Sequence, residues 1–107
     1  MSKIKINYEA KTYTLEYTRE VVKIMEKQGF DMEKIESQPL TQITLLFRGA
    51  FIQNHREIAI KTVDDILEEI ENKEDLLRKL VTMYQETVVT LIGESSKKEK
   101  NATWEEA

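Results

Sequence analysis

What most constrains this chain lies at its start. Between Lys3 and Tyr17, apolar residues take every second position in two short runs: Ile4, Ile6 and Tyr8, then Tyr13, Leu15 and Tyr17. Glu9-Ala10-Lys11 separates the runs. A period of two gives an extended strand one apolar and one wet face, and two such runs across a short break read as a tight β-hairpin. A two-stranded ribbon does not hold itself together in water. Its apolar face must cover helices of the same chain or meet a sheet from another.

The helices follow at once. Thr18 is a good N-cap for a helix over Arg19 to Gln28, with Val21, Val22 and Met25 as its inner stripe. Gly29 supplies a left-handed stop, and Phe30 can pack back on the last turn. Asp31 caps a short turn through Ile35, and Ser37-Gln38-Pro39 breaks the chain before Pro39 opens the next helix. That helix, Leu40 to about Arg56, is the most apolar segment. Leu40, Ile43, Phe47, Ala50, Phe51 and Asn54 share one face, and Leu45, Leu46 and Ile52 widen the apolar surface beyond it. Such a helix is central or meets another molecule, and Gly49-Ala50 permits close approach of a neighbour. Ala59 to about Glu71 reads as an amphipathic helix, with Val63 as an alternative start after Thr62. Asp75 to Ile92 is the last helix, stopped by Gly93. The fold class is α+β: an N-terminal β-hairpin followed by a bundle of about four α-helices. Residues 1–93 form one domain. Residues 94–107, with Trp104 as their large apolar side chain, form a flexible tail.

The 107 residues, 34% charged and 40% hydrophobic, suit one domain with a modest core. No apolar run reaches the length of a membrane span, and no hydrophobic leader opens the chain. There is no cysteine, which removes disulfides, thiolate metal sites and cysteine nucleophiles. A cytoplasmic protein is expected. The net charge of −4, with Lys and Arg scattered, points away from nucleic acid. His55 stands beside Asn54, Arg56 and Glu57, which is no metal-ligand pattern. Three glycines allow no phosphate-binding loop. Asp64, Asp65, Glu68, Glu69 and Glu71 repeat at helical spacing and read as a solvated helix face. No catalytic constellation, cofactor site or small-molecule site is expected.

Binding is the class that remains. The hairpin has an exposed edge unless something covers it, and edges invite strand addition. The helices carry more apolar residues than a single layer requires, and Trp104 is of a type common at interfaces. Ile4 and Ile6 at the edge are the candidates for self-association. Leu45, Leu46, Phe51 and Ile52 are the candidates for partner or self contact, and Trp104 is a further candidate.

The order of short motifs along the chain adds a resemblance. The hairpin, Tyr17-Thr18-Arg19-Glu20, Met25-Glu26, Gly29-Phe30, Leu46-Phe47-Arg48-Gly49-Ala50-Phe51 with Asn54-His55, and Asn101-Ala-Thr-Trp-Glu105 resemble a family of small proteins of phages and prophages of Gram-positive bacteria. That family looks like the tail assembly chaperones of long-tailed phages. The resemblance implies a non-catalytic protein that binds the tape measure protein and keeps it soluble while tail tube subunits polymerise around it. It also implies a homo-oligomer in the host cytoplasm, absent from the mature virion. The alternative is a small adaptor or regulatory protein that binds one host or phage protein.

Overall fold

A computed structural model describes residues 3–92. The expected stop at Gly93, the expected tail 94–107 and Trp104 lie outside the described residues. The architecture is α+β: a two-stranded antiparallel hairpin, β1 (Ile4–Tyr8) and β2 (Lys11–Leu15), then α1 (Arg19–Lys27), a 3₁₀ turn (Met32–Lys34), α2 (Pro39–Ile52), α3 (Ile60–Glu69) and α4 (Lys73–Ile92).

The hairpin register pairs Ile4 with Leu15, Ile6 with Tyr13 and Tyr8 with Lys11. The alternating apolar residues therefore share one face, where Ile6 and Leu15 are buried. The turn is tighter than a three-residue break. Glu9 and Ala10 alone form it, with φ of 48° and 65°. Two left-handed central residues make the mirror-image turn whose twist matches that of the strands. Neither residue is a glycine, so the turn costs about 1–2 kcal/mol per residue in steric strain.

Helix α1 is bounded by local chemistry at both ends. The Thr18 hydroxyl accepts the Val21 N–H at 3.3 Å. At the other end Gly29 has φ 95°, its N–H donates to the Glu26 carbonyl, and the Phe30 N–H reaches the Met25 carbonyl at 3.0 Å. These paired bonds satisfy the last carbonyls of the helix and fold the chain back. Phe30 then stacks edge-on against Tyr84 of α4 with ring centroids 4.9 Å apart.

Helix α2 is the hub. It packs against α1, α3, α4, β2 and the 3₁₀ turn. Leu46, Phe47, Ala50 and Phe51 are fully enclosed, and Gly49 meets α1 so closely that a Cβ would overlap the Met25 side chain. Buried Gln42 accepts the Asp31 N–H at 2.9 Å and so pins the loop after α1. Tyr17 lies one alternation beyond β2, and its hydroxyl donates to the Leu46 carbonyl at 2.7 Å. Burial pushes that hydroxyl well above its ordinary range, so it stays a donor. Val63 and Ile66 of α3, and Leu80, Met83, Tyr84 and Thr87 of α4, close the core from the remaining sides.

Two expectations for α2 are corrected. Leu40 does not belong to the inner face; it stands 87% exposed in the first turn, ahead of any packing partner. The helix also ends at Ile52 rather than near Arg56. The residues after it serve the hairpin instead. Gln53 Oε1 accepts the Thr18 hydroxyl at 2.9 Å, Asn54 Nδ2 donates to the Thr14 carbonyl at 3.2 Å, and His55 Nε2 accepts the Thr14 N–H at 2.9 Å. The Glu16 N–H donates to the Ala50 carbonyl at 3.1 Å. The end of β2, from Thr14 to Glu16, is thus sealed by the C-terminal end of α2 and the residues after it.

Candidate protein-binding groove

Three elements leave a trough between them. Helix α2 forms its floor, α1 one wall, and the start of α3 with the segment before it the other. The space is about 530 Å3 and is lined chiefly by Ile24, Leu45, Ile52, Ile58 and Ile60, with Phe51 and Val63 beneath. Each lining residue arrives there for a local reason. Leu45 and Ile52 lie seven residues apart, two helical turns, on the flank of α2 rather than on its buried face. Ile24 is the half-buried neighbour of the inner stripe of α1. Ile58 and Ile60 bracket Ala59, where the chain is extended (φ −67°, ψ 137°) before α3 begins.

Ile60 is 60% exposed, one of the few large apolar side chains left in water among the described residues. At the rim, Arg48 holds Asp64 through two bonds, Nε at 3.0 Å and Nη2 at 2.7 Å. Those hydrogen bonds hold the Asp64 carboxyl below the usual carboxylate range and push the guanidinium higher. They also clamp α2 to α3 and fix the groove's width. Arg56 stands exposed on the same rim. An apolar trough with one exposed arginine at its rim suits an amphipathic segment that carries an acid beside its apolar side chains.

The structure sorts the expected contact residues. Leu45 and Ile52 are half-buried and line the groove together. Leu46 and Phe51, expected at the same surface, are corrected to core. Leu46 is 0% exposed and Phe51 1%. The Phe51 ring is wedged edge-on against Tyr13 at 5.8 Å and Phe47 at 5.1 Å, so it shapes the floor without presenting a surface. Ile6, expected at the strand edge, lies in β1 with its side chain turned inward. Its side chain is 4% exposed and faces the helices, while Ile4 on the same face is half-buried. Ile24, Ile58 and Ile60 join the groove without a mark in the helical periodicity. Their signal was the run Ile58-Ala59-Ile60, apolar where a helix N-terminus is ordinarily polar.

His55 is a positioning residue of the fold. Its ring accepts from the hairpin and stands edge-on to Tyr13 with centroids 5.1 Å apart. Among the described residues, no group of three or more His, Asp or Glu side chains is arranged to hold a metal ion. No helix among them is long and apolar enough to cross a membrane.

No curated protein and no solved structure matches the chain. One family model does, over residues 1–107, and on that match the chain belongs to the family described as domain of unknown function DUF5055.

Proposed function

We propose that the chain is a non-catalytic binding protein that shields apolar helical segments of a larger client, in the manner of a phage tail assembly chaperone on a tape measure protein. The observation that carries this reading is the groove over α2, with Ile60 standing in water at its rim. An aliphatic surface left wet beside half-buried Leu45 and Ile52 gains free energy when covered. A client helix spaces its apolar side chains about 5–6 Å apart at i, i+3 and i+4, a pattern that seats in a trough between helices.

Each engagement is weak. Covering a few partly buried aliphatic side chains contributes about 1–2 kcal/mol apiece before the cost of association. A long client with repeated apolar stripes offers many such sites, and many copies then hold it by avidity. The net charge of −4 keeps the coated client soluble by mutual repulsion. Tail tube subunits displace the copies as they polymerise, which leaves the protein in the host cytoplasm and out of the virion.

Co-expression with the tape measure protein of the same genome tests the reading. The expected result is a client that is insoluble alone and soluble when co-purified with this chain. A client that stays insoluble and leaves nothing on the pull-down rejects it, and a single tight host partner would favour the adaptor role.

A further inference from the structure

The two edges of the hairpin differ. Along β2, the Thr14 N–H and C=O are taken by His55 and Asn54 just after α2, and the Glu16 N–H by the Ala50 carbonyl of α2. Thr14 is paired with Lys5, so Lys5 belongs to the same kind of cross-strand pair and its main-chain groups point away from β2. By the same alternation the main-chain groups of Asn7 point outward too. Among the described residues, no main-chain hydrogen bond reaches Lys5 or Asn7 on that side. Beside this open edge runs a groove of about 410 Å3, bordered by Ile70 and Leu76 at the turn between α3 and α4.

We infer that the open edge of β1 pairs antiparallel with β1 of a second copy, centred on Ile6, to form a continuous four-stranded sheet. The strand's own sequence selects this occupant. β1 runs from Ile4 to Tyr8, so Ile6 is its midpoint and only the register centred there overlaps the whole strand. That register sets Lys5 opposite Asn7 of the second copy, and each such pair exchanges both of its main-chain bonds. Just beyond the strand ends, Lys3, whose ammonium lies 3.7 Å from Glu16 of its own chain, also meets Glu9 of the second copy, and symmetry repeats the contact. Opposite charges therefore face each other on the wet side, where Lys3, Lys5 and Glu9 are exposed. On the inner side Ile4 meets Tyr8 of the second copy, and Ile6 meets its own counterpart. The groove along Ile70 and Leu76 holds the chain's own α3–α4 turn away from the edge, so a second strand can approach it.

Shifting the centre to Lys5 would put the two Lys5 side chains directly opposite, which is destabilising. Lys5 thus guards the edge against that slip, and the opposite slip, centred on Asn7, overlaps only Ile6 to Tyr8 of each strand. The contact is isologous, so it closes as a dimer and does not propagate. It leaves the groove over α2 uncovered and stands whether or not that groove holds a client.

Analytical ultracentrifugation of the full chain from about 1 to 100 µM tests the inference. The expected result is a reversible monomer–dimer equilibrium in that range. Lys5→Pro removes an outward N–H while leaving the β1–β2 ladder intact, and it should yield a monomer with an unchanged circular dichroism spectrum. In a Glu16→Gln background, which releases residue 3 from its own-chain partner, Lys3→Glu and Glu9→Lys should each raise the dissociation constant about fivefold or more, and the two combined should restore it to within about twofold. The charge series decides independently of whether Lys5→Pro folds. A wild-type chain that stays monomeric at the top concentration overturns the inference. So does a dimer that survives in folded Lys5→Pro, or a double reversal no tighter than the single ones.

Discussion

Leu45 and Leu46 are neighbours on one helix with the same side chain, and they do different work. Leu46 is fully enclosed in the core, and the Tyr17 hydroxyl is bonded to its carbonyl. Leu45 lines the groove on the flank of α2, half-buried. Phe51, buried, and Ile52, half-buried, repeat the contrast further along the helix. Residues one position apart on a helix are turned by about 100°, and a helix with neighbours on most sides makes one of them core and leaves the other on the surface. An apolar residue on α2 is therefore informative only together with what packs over it. The buried row holds the fold, and the flank row is available to a partner.

Truncation should break this pair apart most clearly. Leu46→Ala leaves a cavity in a closed core and should destabilise by about 2–5 kcal/mol, whereas Leu45→Ala should cost less than half as much. Thermal or urea unfolding of the two variants measures the difference, and equal losses would erase the distinction between core and flank.

His55→Ala comes next. It removes the acceptor for the Thr14 N–H and the ring beside Tyr13. A half-buried donor left without a partner costs about 1–2 kcal/mol. Amide exchange should quicken along β2 more than in α1, because the lost bond joins the hairpin to α2. Uniform quickening would mean that the hairpin is not held through this seal.

The smallest effect is the Arg48–Asp64 clamp across the groove. The Asp64 carboxyl is held low in the folded chain by hydrogen bonds from Arg48. Its contribution is thus present above the unfolded carboxylate value, near pH 4, and is lost as pH falls through the lower folded value. The side chains are 34% and 39% exposed, so solvent screening limits the pair to about 0.5 kcal/mol. The stability difference between wild type and Asp64→Asn should therefore shrink below about pH 4. A difference that persists undiminished at low pH would assign the effect to packing rather than charge.

Much of the scaffold was legible because its signals are local. Alternation between Lys3 and Tyr17, Thr18 as a cap and Gly29 as a stop depend on neighbours in sequence, and the hairpin and α1 follow from them. The end of α2 was not legible. Asn54 and His55 are compatible with more helix, yet they are drawn to Thr14, some forty residues away in sequence. The groove was half legible for a related reason. The apolar excess of α2 marked it as a meeting place, but nothing local separates Leu45 from Leu46. That choice belongs to α1, α3 and α4, which decide what is covered. Ile60 was missed because periodicity assigns a residue to a helix face, and at the first turn of α3 no neighbour stands over that face.

The most direct test of the account is the affinity of the purified chain for an amphipathic helical segment of the tape measure protein, compared between wild type and Leu45→Gln/Ile60→Asp. Both side chains lie in the groove and outside the closed core, so the melting temperature should shift by only a few degrees. The dissociation constant should rise tenfold or more, by about 1.4 kcal/mol. A folded double variant that binds the segment as tightly as the wild type would contradict the groove as the binding surface.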